Sequence, residues 1–275
     1  MRTWDEAASR WLDETRHKAT HLNDVAKIEV LDAWFSGRAL DSIKGDHISK
    51  VGRKIADRTS AANANRYLAL IRSIFRRAHQ VWEWTSRCPK VLMYPERKRR
   101  VRWLTPREAH RLILKLPDHQ RDLVRFALAT GLRHGNIVGL QWSQIDMRRR
   151  LAWIHADQAK ARRPISVPLS ASAMEVLRRR RKDHEIHVFV YRDRPIRCAN
   201  TKAWRDALAA LKIKDFRWHD LRHTWASWHV QNGTPLHVVQ ELGGWQSEAM
   251  VKRYAHLAPS HYAHHAETIT RVFAA

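Results

Sequence analysis

The sequence predicts a mainly α protein with a small antiparallel β-sheet, split into an N-terminal helical bundle and a larger C-terminal module. Three observations predict it. Apolar residues over the first ~85 positions recur at helical spacing. The period changes to that of strands only around Leu151–Leu169. Between the two modules, residues 87–102 contain Pro89, Pro95 and a run of four basic residues, a composition that breaks any regular element.

Each element has a local reason. Thr3-Trp4-Asp5-Glu6 is a capping box, with Thr3 as N-cap and Glu6 three residues on. Trp4, Ala8, Trp11 and Leu12 then share one helical face. A second helix is predicted from about Asn23 to Phe35, stopping near Gly37. A third starts near Asp46, and a fourth covers about Ala61 to Val81 with Leu68, Ile71, Ile74 and Phe75 apolar. Four helices in this length suggest a small bundle. Residues 1–86 are assigned to it, 87–102 to a linker and 103–275 to the second domain. There, Thr105-Pro106-Arg107-Glu108 combines an N-cap Thr, Pro at the first turn and Glu at the third position. The next helix runs from about His119 to Thr130 and closes at Gly131. Leu151–Ile154 and Ile165–Val167 read as strands around a polar turn, and Val188–Tyr191 as a further short strand. A helix begins at His219 and stops at Gly233. Beyond Pro259 a short helix would place Ile269, Val272 and Phe273 on an apolar face, which packs on its own domain or docks on a neighbouring protomer.

The charge is the strongest statement about function. Fifty-one Lys and Arg face 27 acidic residues, a net charge of +24. Such an excess repels itself unless something acidic neutralises it, and nucleic acid is the usual partner. The basic run Arg97-Lys98-Arg99-Arg100 in the linker is a solvated loop or a phosphate contact. Two distant cysteines, Cys88 and Cys198, argue against a disulfide framework or a zinc finger. No apolar run is long enough for a membrane span, so a soluble intracellular protein is expected, in the cytoplasm or on the nucleoid. No Gly-rich phosphate loop, no HExxH and no carboxylate cluster is present. His256, His261, His264 and His265 lack a second ligand set, so no metal or other cofactor is expected.

Three segments carry groups suited to phosphate binding and proton transfer. In Thr130-Gly131-Leu132-Arg133 an arginine follows a helix stop and can present its planar fork to two phosphate oxygens. In His219-Asp220-Leu221-Arg222-His223 a group titrating near neutrality lies on the same helical face as a permanent cation. Gly243-Gly244-Trp245 precedes Tyr254 by nine residues, within Arg253-Tyr254-Ala255-His256-Leu257. Taken singly, each is the ordinary helix-end arginine, surface histidine or packing aromatic.

In this order and spacing, the segments resemble the tyrosine recombinase or phage integrase family. The resemblance covers about Leu104 to Leu257. The N-terminal bundle resembles that family's SAM-like core-binding domain less specifically. The resemblance implies that Arg133 and Arg222 are the two catalytic arginines, His219 the histidine, Trp245 the residue that is His or Trp in the family, and Tyr254 the nucleophile. It also implies a lysine in the hairpin turn, here Lys160; Arg162 and Arg163 beside it are then phosphate contacts or solvated charges. Asn136 stands where the family usually has an acid. Its amide oxygen accepts a hydrogen bond and orients the site but balances no charge.

The implied reaction is attack of the Tyr254 phenol on a DNA phosphodiester, giving a 3′-phosphotyrosyl link and a 5′-hydroxyl. A phenol is a poor nucleophile at neutral pH until its proton is taken, and His219 is a candidate for that. Two arginines stabilise the charge of the pentacoordinate transition state. Lys160 protonates the leaving alkoxide, while Trp245 can only donate an indole N–H and pack. The implied partners are double-stranded DNA, further copies in a homotetramer on paired sites and an accessory directionality factor. The implied setting is a mobile element or integrating viral genome. A dimer-resolving recombinase, or a DNA-binding protein with lost catalysis, remain as alternatives.

Overall fold

The computed structural model describes residues 1–96, 101–159, 163–258, 270 and 272–273. It divides into two compact units, Met1–Arg99 and Arg100–Ala275.

The first unit is built on α1 (Trp4–Glu14), α2 (His21–Phe35), α3 (Gly45–Arg58) and α4 (Ala61–Gln80). The capping box at Thr3 and Glu6 forms as the sequence predicts. Ser60 caps α4 by accepting from the Asn63 amide. Trp4 is fully buried, and its indole N–H donates to Asp32 at 2.8 Å, so the polar end of a large core side chain is satisfied. Phe35, Ile71, Ile74 and Phe75 complete the core. The proline-rich stretch that follows α4 is held through residue 96 by this unit. Asn65 on α4 accepts from the Tyr94 amide and donates to the Tyr94 carbonyl and the Glu96 carboxylate. One buried amide side chain thus ties down a segment that has no ladder partner of its own.

The second unit opens with α5 (Pro106–Lys115), α6 (Asp118–Thr130) and the short α7 (His134–Val138). The predicted Thr105–Glu108 capping box is present at the start of α5. A three-stranded antiparallel sheet follows, in the order β1 (Ile145–Asp146), β2 (Leu151–Ile154) and β3 (Ile165–Pro168). Ala152 pairs with Val167 and Ile154 with Ile165, and all four face the core, as the period of two requires. The two-residue β1 is too short to show a period and is not predicted by the sequence. After α8 (Ala171–Arg180), only Val190–Tyr191 of the predicted strand 188–191 forms a ladder (β4), with Arg194–Pro195 (β5). The Val188 amide instead bonds to the Leu140 carbonyl. An apolar run serves two backbone partners, so its single sequence signal splits.

Three helices complete this unit: α9 (Lys202–Ala210), α10 (Asp220–Gln231) and α11 (Leu236–Gly243). The main core includes Phe126 on α6 against Phe189, with ring centroids 5.3 Å apart. Leu104 is strapped to α10 from both sides. Its amide donates to Thr224 at 3.1 Å, and its carbonyl accepts from the Trp228 indole at 2.9 Å. A separate small cluster of Trp225, Ala226, Val230, Val239, Val251 and Tyr254 joins α10, α11 and the 3₁₀ segment Lys252–Leu257. The predicted tail helix falls largely outside the described residues. Val272 and Phe273, which are described, are 65% and 86% exposed.

Candidate active site

The site is built where three helix ends meet. Helix α6 stops at Gly131, whose φ of +62° turns the chain out of the helix. Arg133 follows as the N-cap residue of α7, extended and half-buried. Helix α11 stops at Gly244, with φ of +60°. Helix α10 runs between these ends and carries the histidines and Arg222.

Arg222 is the centrepiece. It is 4% exposed, and its guanidinium donates to the Gly131 carbonyl at 2.6 Å and to the Gly243 carbonyl at 2.5 Å. Both acceptors are orphan carbonyls at helix C-termini, where the helix dipole favours a cation. The Trp245 ring covers the guanidinium at 4.0 Å. Burial, with the charge of Arg133 added, lowers its pKa to about 9. Burial likewise lowers the pKa of Arg133.

Close approach of these elements depends on glycine. A Cβ at Gly131 would lie 2.3 Å from the Trp225 ring. One at Gly244 would lie 2.6 Å from Ile165 Cδ1 on β3. The second contact seats the hairpin strand against the end of α11. Lys160 and Arg162, in the turn of that hairpin, lie outside the described residues, as do Arg97, Lys98, Arg99 and Arg100. Arg163 is described and exposed.

Tyr254 is 1% exposed and lies 6.1 Å, ring to ring, from Trp245. Burial outweighs the pull of Arg253 and Arg222 and raises its pKa to about 12. Its hydroxyl sits 2.5 Å from Nδ1 of His223. His219 is exposed at the start of α10, and its ring stands edge-on to that of His223 at 5.1 Å. Desolvation and then the charge of Arg222 lower the His219 pKa. The same kind of environment, burial first and then His219, Arg253 and Arg222, lowers His223 to about 4.

Arg133, His219, Arg222, Trp245 and Tyr254 are therefore brought into one neighbourhood, with charges that register on one another. Sequence reasoning gave no role to His223, although it stands in the motif. Its signal was its spacing of four from His219, which places both on one helical face. Asn136 is buried beside this region on α7, and its Nδ2 has no hydrogen-bond partner. The neighbourhood combines four basic side chains, depressed cationic pKa values and a phenol. Such a site gains by taking up an anion.

A strongly basic two-unit protein that gathers a phenol and two arginines at one site has the make-up of a class that acts on a phosphate-rich partner. Residues 102–261 match the Phage integrase family. The integrase of Salmonella phage P22 is 37% identical over 98% of this chain and 80% of its own length. The shufflon-specific DNA recombinase of Escherichia coli is 32% identical over 69% of this chain, which spans half (50%) of that protein. Among solved structures, a lambda integrase (75–356) dimer bound to a COC′ core site superposes with a TM-score of 0.75 at 20% identity, over 90% of this chain and 97% of that one. The Tn1549 transposon integrase in complex with a circular intermediate DNA gives 0.76 at 14% identity, over 90% of this chain and 94% of that one. The chain belongs to the phage integrase family, the tyrosine-type site-specific DNA recombinases.

Proposed function

We propose that the chain cleaves and rejoins double-stranded DNA at specific sites through a 3′-phosphotyrosyl intermediate on Tyr254. The observation that carries this reading is the placement of the phenol in one buried cluster with Arg222, next to the half-buried Arg133. A phosphate entering there meets Arg133, Trp245 and His219 first, since these remain partly open to solvent while Arg222 and Tyr254 are covered. The two guanidiniums hold the non-bridging oxygens and stabilise the charge that grows in the transition state. The Trp245 indole donates to a phosphate oxygen. Lys160 protonates the departing 5′-oxygen.

The basic side chains Arg97, Lys98, Arg99, Arg100, Arg162 and Arg163 contact backbone phosphates and set the register without reading sequence. The working assembly is a homotetramer on paired sites. The solved tetramer of lambda integrase bound to a Holliday junction, which shares this fold with a TM-score of 0.75, supports that reading. The biological reaction is integration of a mobile element or viral genome, steered by an accessory directionality factor, in the cytoplasm on the nucleoid. Asn136 supports a second reading. Its amide cannot balance the arginines, and its unpartnered Nδ2 leaves a buried donor unsatisfied, which fits a DNA-binding protein with weakened chemistry.

One experiment separates the two. Duplexes are selected from a random library for tightest binding to the chain, then nicked at each position in turn. The first reading gives a covalent protein–DNA adduct in the presence of chelator, lost in Tyr254→Phe. Binding without an adduct at any nick position assigns the chain to the second.

A further inference from the structure

We infer that His223, not His219, takes the proton from Tyr254 as the phenol attacks phosphorus, and returns it when the strands rejoin. This rests on the reading of Tyr254 as nucleophile and names the proton acceptor that reading requires. The geometry carries it. His223 Nδ1 is 2.5 Å from the phenol oxygen, and it is the hydrogen-bond partner of that hydroxyl among the described residues. The phenol is 1% exposed, so bulk water has no access to the proton. His219, one turn earlier on α10, is exposed and faces the edge of the His223 ring. It stands where a phosphate arrives, as a hydrogen-bond donor.

The charges around His223 set its state. From its own helix His219 and Arg222 face it, and from the segment 252–257 Arg253 and Tyr254 do. With burial, the cations hold the ring neutral at pH 7. A neutral imidazole carries one N–H, and with it on Nε2 the Nδ1 lone pair points at the phenol proton. A phosphate seated against the arginines offsets the positive potential and makes the ring more basic when attack occurs. Proton transfer is thereby coupled to DNA binding, and the phenol of the free protein stays protonated and unreactive.

The step balances. The Tyr254 oxygen forms its bond to phosphorus as its proton passes to His223 Nδ1. The bond from phosphorus to the 5′-oxygen breaks with its electron pair on that oxygen, which takes a proton from a separate acid, Lys160 in the reading above. The transfer is concerted with attack, because the charge freed on the phenol oxygen is consumed in the new ester. On rejoining, the 5′-hydroxyl attacks phosphorus as its proton returns to Lys160, and the departing phenolate recovers the proton from Nδ1.

The test uses the full chain and its selected, nicked duplex, made either with oxygen or with sulfur at the bridging 5′ position. A thiolate leaves without a proton, so sulfur bypasses the general acid but not the base. His223→Gln keeps a hydrogen-bonding side chain that cannot accept a proton at neutral pH. It should bind DNA like the unaltered chain and form adduct about 100-fold more slowly, within the usual range for removing a general base. Sulfur should not restore the rate. The rate should rise about tenfold per pH unit from pH 7 to 9, since without the imidazole only the small ionised fraction of the phenol attacks, and that fraction grows tenfold per unit. The unaltered chain on the sulfur duplex should be flat over that range. Adduct formation by His223→Gln within threefold of the unaltered chain overturns the proposal. So does a faster rate, which would make the contact a latch, or full rescue by sulfur, which would make His223 the acid. If Gln unsettles the fold, His223→Asn replaces it. The pH profile of the unaltered chain decides independently, since a tenfold rise per unit there also overturns the proposal. A chain that gives no adduct at all fails the tyrosine reading. Normal His223→Gln beside inactive Tyr254→Phe fails only this one.

Discussion

At the scale of single residues, the site is held together by groups that water would otherwise satisfy. The two carbonyls that Arg222 binds end different helices, so its fork fixes their separation as well as presenting a cation. The histidines show the cost of taking a titratable ring out of water. The pKa values of His119, His134, His219, His223 and His229 are all lowered, in each case chiefly by burial. A histidine with a depressed native pKa binds its proton more readily in the unfolded chain, so its stabilising contribution is present above the unfolded value and lost on acidification. For His223 the window runs from about 6.5, its ordinary value, down to about 4. Thermal melting followed by circular dichroism should show the midpoint falling as pH drops from 7 to 4.5. His223→Gln should flatten part of that fall. An acid profile identical to that of the unaltered chain would remove His223 from the account.

At the scale of elements, the arrangement depends on how closely α6 and α10 approach at Gly131. Its positive φ penalises any side chain, and a Cβ would enter the Trp225 ring at 2.3 Å. Gly131→Ala should therefore destabilise the chain by about 2 kcal/mol or more, from overpacking and the left-handed backbone together. Because the Gly131 carbonyl also holds Arg222, adduct formation should fall more than DNA binding does. Denaturant melting, gel shifts and adduct assays on one preparation measure all three. A variant as stable and active as its parent would show that α6 and α10 can separate freely here. The same elements explain what the sequence made legible. Capping boxes at Thr3 and Thr105, and stops such as Gly131, are local chemistry and leave local signals. The ordered segments around Arg133, Arg222, Trp245 and Tyr254 were readable because each is a short contiguous run, and their order along the chain resembles that of the family. The pairing of His223 with Tyr254 spans 31 positions and exists only once α10 packs on the segment 252–257. The route of 87–96 along the first unit was hidden likewise, since it depends on one amide, Asn65, far back in α4.

At the scale of the whole molecule, net charge and exposed apolar surface point to different partners. The +24 charge suits the phosphate backbone, and binding to the selected duplex should weaken steeply with added salt. Charge does not account for the tail. Among the described residues of the tail, Val272 and Phe273 are large apolar side chains that are 65% and 86% exposed. A neighbouring protomer of a recombining assembly would cover them, and a cyclic exchange of tails would link the subunits on paired sites. Removing residues 260–275 should then leave binding to one site unchanged while abolishing recombination between two. The two activities separate in gel shifts on a single duplex and in strand exchange between two labelled duplexes. If both fall equally, the tail stabilises its own domain and the trans reading fails. If both persist, the exposed side chains take no part in assembly, and the proposed tetramer would have to be held together by other surfaces or by the DNA itself.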